Sequence, residues 1–391
     1  MFKSTKIEYL PPNVFRRLEE RKNKARQDGK YVIDCGTANP SGAPPAEVVR
    51  TLQKAVEVTE NSHYAPSHGT REFREAIANW YRVRFDVEID SESEVHTLLG
   101  SKEGLFNISL AYLGHRDVAL IPDPSFPTYH DGAYMAGADI YRLPLRKENG
   151  YLPDLDSIPQ FILKRSRILF LNYPHNPTGA MAPPEFIKEA IAFAKEHKMI
   201  ICYDNAFSEL TFDGKIAPSF LEYAGAKDVG IELFTFSKAF NMSGWRLAFA
   251  VGNRHLIGSL IECHAEAHTG MFPAIQLAGI TALKDVWPTG FLAEQRKDYQ
   301  RKRDYALHKF AQINWPVDKP AGAIYLWVPI PKRMTCEEFA EMLTKKYGLL
   351  VAPGIGFGDT GEGFIRMSMT CKYDDFERAV DYLCEAIQTL R

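Results

Sequence analysis

Four short stretches hold the residues that could do covalent chemistry on a small anionic molecule. Lys238 closes the apolar run ending Thr235-Phe236-Ser237-Lys238, eight residues ahead of Arg246. A lysine buried near a second cation sheds its proton near neutral pH and becomes a nucleophile. Asp204 follows the run 199–203, and Asn176 lies in Asn172-Tyr173-Pro174-His175-Asn176-Pro177-Thr178-Gly179 after 168–171. Ser101 and Lys102, in Gly100-Ser101-Lys102-Glu103-Gly104, follow 95–99 and open a helix. The first backbone N–H groups of a helix bind anions. Thr235 adds a hydroxyl, and Arg246 a guanidinium fork shaped for phosphate oxygens. Each of these has an ordinary explanation alone: a solvated lysine, a capping aspartate or serine, a turn asparagine. Together they place an amine, a carboxylate, an amide and an anion cup just after apolar runs.

Those runs must be strands of one sheet for the residues to meet. The runs 118–121, 167–171, 199–203, 232–236 and 247–251 mostly lack strict polar alternation, as strands buried on both faces do. Between them, 184–197 puts Phe186, Ile187, Ala190, Ile191 and Ala194 on one helical face. The pattern predicts an α/β fold, a mostly parallel sheet with helices on both sides. Ligands of such sheets bind beyond the carboxyl ends of the strands, where these residues fall. The rhythm then changes. Thr335-Cys336-Glu337-Glu338 reads as a capping box, Gly348 as a helix stop and 364–369 as a strand. Phe376, Ala379, Val380, Leu383 and Ile387 form one face of a terminal helix. The chain of 391 residues exceeds one ordinary core. Two domains are expected: a large one over 46–285, and a smaller α+β one from 286–391 with 1–45, where Pro40, Pro44 and Pro45 mark a crossover.

A formal net charge of −2 offers no electrostatic footprint for nucleic acid or an anionic membrane. No stretch approaches the ~20 apolar residues of a membrane span, and the first residues lack the apolar core of a signal peptide. The six cysteines form no CxxC pair, which points to reduced thiols in a cytoplasmic protein and to no metal site.

Asn-Pro-Thr-Gly, an aspartate after an apolar strand, and Ser-Lys with an arginine eight residues on resemble the fold-type I class I and II aminotransferases. The resemblance runs from Tyr64 to Arg366. The textures Gly-Ser-Lys-Glu-Gly, Asn-Tyr-Pro-His-Asn-Pro-Thr-Gly-Ala and Phe-Asn-Met-Ser-Gly-Trp-Arg are most similar to the LL-diaminopimelate aminotransferase-like branch. It implies pyridoxal 5′-phosphate (PLP) held by Lys238 as a Schiff base. Asp204 would keep the pyridine nitrogen protonated, so that the ring accepts electrons. Asn176 would reach the 3′ oxygen and the substrate, while Ser101, Lys102, Thr235 and Arg246 take the phosphate. Tyr129 would stack on the ring, and Tyr64 would reach the phosphate of a neighbouring subunit, making the active unit a homodimer. Arg366 would clamp the substrate α-carboxylate, with a backbone N–H from Gly36. Strand alternation leaves a surface-facing Arg366 equally open.

One position departs from the family. Three residues after Asp204, where a tyrosine usually donates to the 3′ oxygen, stands Phe207. One such hydrogen bond is worth roughly 0.5–3 kcal/mol, enough to tune the cofactor without abolishing its chemistry. The implied reaction moves the α-amino group of an amino acid, with LL-diaminopimelate suggested by the branch, to a 2-oxo acid such as 2-oxoglutarate. Two rivals share the scaffold: a β-eliminating C–S lyase, and a non-catalytic PLP-binding regulator. The regulator would carry an added DNA-binding segment, for which no room is expected ahead of Tyr64.

Overall fold

A seven-stranded sheet organises the first half of the fold. In the computed structural model, which describes residues 2–10 and 12–391, the strands in chain order are β1 (Ile33–Asp34), β2 (Val95–Leu98), β3 (Val118–Asp123), β4 (Asp139–Pro144), β5 (Ser166–Leu171) and β6 (Ile200–Asp204). They continue as β7 (Gly230–Thr235), β8 (Ala248–Gly252), β9 (Tyr325–Pro329), β10 (Leu349–Leu350), β11 (Ala352–Pro353) and β12 (Phe364–Ser368). Met1 and Pro11, inside the segment expected to join the smaller domain, lie outside the described residues. The large sheet has the order β2-β8-β7-β6-β5-β3-β4. β8 runs antiparallel to both neighbours, and the other pairs are parallel.

The continuous apolar runs follow from this burial on two sides. Along β5, Leu169 and Leu171 enter one core with Phe73, Trp80 and Phe249. Ile168 and Phe170 enter another, with Leu105, Ile108 and Ile257. Successive side chains of a strand point to opposite faces, so a strand covered twice has no polar face to show. The edge strand β4 is largely exposed, and its charged, mixed sequence gave no apolar run. Helix Pro184–Glu196 buries the five residues whose spacing predicts a helix, with a proline in its first turn.

The remaining strands build a further core, apart from the two on either face of the large sheet. β11, β12 and β9 form an antiparallel sheet, and β1 pairs in parallel with β10. Helices Phe291–Gln312, Cys336–Tyr347 and Tyr373–Leu390 pack there, with Phe339, Phe376 and Leu383 buried beside Tyr325. The capping box is present: Thr335 Oγ1 accepts from the Glu338 N–H at 3.3 Å, and Glu338 Oε2 accepts from the Thr335 N–H at 2.9 Å. Gly348 ends that helix in the left-handed region, at φ 67°. All six cysteines are thiols. No helix among the described residues is long and apolar enough to cross a membrane.

A buried carboxylate locks the sheet under the strand ends. Glu232 on β7 is fully buried and accepts from Tyr81 Oη (2.7 Å), Asn205 Nδ2 (2.8 Å), Ser219 Oγ (2.8 Å) and the Phe220 N–H (2.6 Å). Asn205 directly follows Asp204, so this network holds the end of β6. Burial pushes the Glu232 carboxyl up, and its four donors oppose that. Tyr81→Phe deletes one donor from a charged acceptor, which costs about 1–3 kcal/mol. A denaturant titration should therefore show an earlier midpoint for that variant; an unchanged midpoint would remove Glu232 as a support of the rim.

Candidate active site

Four segments bring their polar residues to one rim. Lys238 sits in the short helix Phe236–Ala239 that follows β7, with Thr235 as its N-cap. Its Nζ donates to the Ala38 carbonyl at 2.6 Å. Burial, then the charges of Arg366 and Arg246, push this amine down to about 7. Much of it is therefore neutral, and nucleophilic, at physiological pH.

Asp204 ends β6 and is 5% exposed. Its Oδ2 accepts from Tyr129 Oη at 2.8 Å, whereas its Oδ1 is buried without a hydrogen bond. Burial raises the carboxyl to about 6, against the Tyr129 donor that lowers it. A buried carboxylate oxygen without a donor is costly. A protonated ring nitrogen is the kind of donor that fits it.

The loop after β5 is tied to β6 through Asn172. Its Nδ2 donates to the Asp204 carbonyl (2.6 Å), and its Oδ1 accepts from the Asn176 N–H (2.8 Å). Asn176 Oδ1 in turn accepts from Arg366 Nη1 at 3.0 Å. Arg366 is fully buried on β12, and its guanidinium turns inward to line the same cavity as Lys238. Nη2 donates to the Gly36 carbonyl (2.7 Å), and Tyr325 and Phe357 lie 4.3 and 4.5 Å below and beside it. Among the described residues no carboxylate pairs with it, and its Nε makes no hydrogen bond. A buried cation without a counter-ion is a ready partner for an anionic ligand.

The anion cup lies on the opposite wall. Gly100, at φ 90°, precedes helix Ser101–Tyr112, and a Cβ there would stand 2.1 Å from Arg246 Nη2. Glycine therefore lets the guanidinium reach the helix N-terminus. Arg246 Nη1 donates to the Ser243 carbonyl at 2.7 Å, which fixes the fork. Ser101, Lys102, Thr235, Ser237 and Arg246 all line the cavity. Hydroxyls, helix amides and two cations are the chemistry a phosphate needs.

Two expected placements, those of Tyr129 and Gly36, differ. Tyr129 does not line the cavity: its ring stacks on Phe170 at 5.0 Å, and its hydroxyl is spent on Asp204. The aromatic of that motif on the cavity wall is Phe126, three residues earlier. Gly36 offers no free N–H, because Asp34 Oδ1 accepts it at 3.0 Å; its carbonyl faces Arg366 instead. Tyr64 is 91% exposed and outside the cavity, beside a surface groove shared with Met271 and Phe272. Phe207 lines the cavity, its ring edge-on to Tyr325 at 5.5 Å. Sequence reasoning missed Phe15, Thr37, Ala38, Phe126, Ala206, Ser237, Ser243 and Tyr325 as cavity residues. Ser237 and Phe126 stand inside motifs already singled out, whereas Tyr325 arrives through the pairing of β9 with β12, which leaves no local signal.

The sequence pattern of the aminotransferase class I and II family matches residues 30–387. The LL-diaminopimelate aminotransferase of Moorella thermoacetica is 41% identical over 98% of both chains, and that of Aquifex aeolicus 40% over 94% of both. Among solved structures, substrate-bound BacF from Bacillus subtilis superposes with a TM-score of 0.94 at 35% identity, over 98% of each chain. An aminotransferase from Staphylococcus aureus gives 0.92 at 32% identity over 100% of each. A mutant aspartate aminotransferase from Thermus thermophilus, 24% identical over 99% of this chain and all of its own, shares the fold at 0.91. The chain thus belongs to the class I and II aminotransferases, enzymes of aspartate aminotransferase-like fold type I that use pyridoxal 5′-phosphate to move an amino group between an amino acid and a 2-oxo acid.

Proposed function

We propose that this aminotransferase holds PLP on Lys238 as a Schiff base and takes LL-diaminopimelate as its amino donor, with 2-oxoglutarate as acceptor. The observation that carries the site assignment is the buried, partnerless Oδ1 of Asp204 on the same rim as an amine depressed to about 7. The donor assignment rests on relatives of that name at 41% and 40% identity. Aminotransferase relatives also favour amino transfer over the eliminating and regulatory readings.

When bound, PLP supplies an electrophilic carbon for an amine and a ring that accepts the electrons released at the substrate α-carbon. Asp204 holds the ring nitrogen protonated, and Tyr129 positions Asp204 from behind. Phe126, in place of Tyr129, covers the ring face. Ser101, Lys102, Thr235, Ser237 and Arg246 hold the phosphate, and Asn176 turns its amide to the 3′ oxygen. Arg366 pairs with the α-carboxylate of the donor, next to Asn176. Once a donor is bound and Lys238 is free of the cofactor, its Nζ, in the same cavity as Arg366, would take the proton from the donor's α-carbon as general base. A hydrophobic Phe207 edge stands where a phenol would have donated.

Tyr64, exposed and away from its own cavity, fits a contact made across a homodimer. The division into 46–285 and 1–45 with 286–391 follows the cores only in outline, since Val286 and Leu292 join a core of the large sheet while Phe207, Leu210 and Phe212 join the core around β9 and β12. The unpaired thiols suit a reducing compartment such as the cytoplasm.

A panel of amino donors with 2-oxoglutarate, read as glutamate formed, tests the donor. LL-diaminopimelate should give the highest kcat/KM, and an aromatic or aspartate donor tenfold better would overturn that choice. Borohydride reduction of the holoenzyme should fix the cofactor on the peptide containing Lys238, and Lys238→Ala should retain no adduct and no transfer. In the PLP-free protein, labelling of Lys238 by an amine reagent should rise through a pH of about 7. Arg246→Gln removes a positive charge that lowers this amine's pKa, so its midpoint should move to higher pH; a fixed midpoint would remove Arg246 from the cause. Phe207→Tyr restores a donor that favours the deprotonated cofactor imine, so the holoenzyme's absorbance should titrate at lower pH than in wild type. No downward shift refutes the role given to Phe207.

A further inference from the structure

Behind the anion cup lies a cluster of ligand-type side chains that amino transfer does not use. Glu103 stands in the first turn of helix Ser101–Tyr112, beside the cup residues. His264 lies in the last turn of helix Arg254–Ala265. His268 follows one turn later, its backbone N–H still donating to the His264 carbonyl at 3.1 Å. One carboxylate oxygen of Glu103 and one ring nitrogen of each histidine lie within 4.8 Å of one another. His96 on β2 completes the group, with Nε2 2.5 Å from Nδ1 of His264.

We propose that Glu103, His264 and His268 form a binding site for a divalent transition metal of zinc type, with His96 as the outer partner of His264. Two histidines four residues apart, one in the last turn of a helix and one just beyond its end, joined by a carboxylate from another helix, offer two imidazoles and one oxygen. That donor set suits zinc better than the all-oxygen preference of calcium or magnesium. The geometry is close to what the ion requires. Ligand atoms at about 2.0–2.2 Å around a tetrahedral zinc stand roughly 3.3 Å apart, and His264 Nε2 is 2.9 Å from Glu103 Oε1.

The second observation is polar atoms without partners. His264 is 1% exposed, and its Nε2 makes no hydrogen bond despite that proximity; Nε2 of His268 is also buried and unpaired. The two rings have centroids 3.5 Å apart, inside the roughly 4.5–7 Å usual for aromatic pairs. Two neutral rings gain little from such crowding, whereas a cation seated between their nitrogens would spread them and satisfy both. The outer contact agrees. With the ion on its Nε2, His264 would carry its proton on Nδ1 and donate it to His96 Nε2, 2.5 Å away, the arrangement found around metal-bound histidines.

Metal uptake changes one contact. His268 Nδ1 accepts from the Gly270 N–H at 3.1 Å, which places that ring's proton on Nε2. Seating the ion on Nε2 moves the proton to Nδ1 and releases the Gly270 amide. Glu103 already holds the cup, since its Oε2 accepts from the Leu99 N–H at 3.2 Å. The ion would therefore tie the start of the phosphate-facing helix to the end of the helix that carries His264.

The test uses the PLP-loaded enzyme, stripped with a chelator and then dialysed against Zn(II). Elemental analysis should find one zinc per chain, and Co(II) in its place should give visible d–d absorption. His268→Gln and Glu103→Gln should each weaken zinc binding at least tenfold, and His96→Phe roughly ten- to hundredfold. Unchanged circular dichroism and PLP content in His268→Gln separate loss of the ion from loss of the fold. No retained zinc overturns the proposal. So does equal binding by wild type and both ligand variants, which would assign the metal to others of the eleven histidines.

Discussion

Two opposite charges, the Asp204 carboxylate and the Arg366 guanidinium, are buried around Lys238, and among the described residues neither has an ionic partner. Taking an ion out of water costs several kcal/mol unless something repays it. The protein repays only part. Asp204 receives one hydroxyl, and Arg366 receives two neutral oxygens and aromatic faces. The depressed amine of Lys238 follows from this same constraint, because burial and the unneutralised Arg366 both disfavour its charged form. A site held in this state is preorganised for a ligand that brings a cation to Asp204 and an anion to Arg366.

Such a rim would relax if its supports were soft, and they are not. Parallel pairing of β5, β6 and β7 aligns their carboxyl ends, so Asn176, Asp204 and Lys238 all issue from neighbouring strands. Asn172 bridges the first two at the level of the backbone. The Glu232 network anchors Asn205 from below, with every one of its lone-pair directions engaged by donors from three different segments. Gly100 permits the close approach of Arg246 to the helix that faces it. Each support is local in space, but only some are local in sequence.

That distinction explains what the sequence made legible. The buried strands announced themselves because double burial removes their polar face, and the capping box because its two hydrogen bonds span three residues. That Lys238, Asp204, Asn176 and Ser101 share one cavity was readable because each follows a strand or opens a helix, where position along the chain fixes position in space; Arg246 joins them from the turn just ahead of β8. Tyr129 and Phe126 were not separable: Phe126 stands just ahead of the nine-residue helix Thr128–Ala136 and Tyr129 in its first turn, and only the packed structure shows which ring faces the cavity. Gly36 failed for a different reason. Its N–H is claimed by Asp34 two residues away, an Asx-type contact that competes with any ligand. The histidine cluster left only the His-x-x-x-His spacing, since Glu103 and His96 join it through tertiary packing.

Arg366 comes from one sheet and acts on a residue of another, and this gives the proposed reaction a built-in order. It belongs to β12, paired with β9, yet its charge depresses the amine of Lys238 after β7 of the large sheet. Before the cofactor binds, that charge keeps the lysine neutral enough to react with it as a nucleophile. When an α-carboxylate pairs with Arg366, the positive field at Lys238 weakens, and the amine's affinity for a proton rises. A stronger base is what the next step asks of it, removal of the proton from the α-carbon. The same guanidinium thus favours the nucleophile in the unliganded site and the base in the liganded one, and a donor lacking the α-carboxylate would forfeit both its anchor and this change.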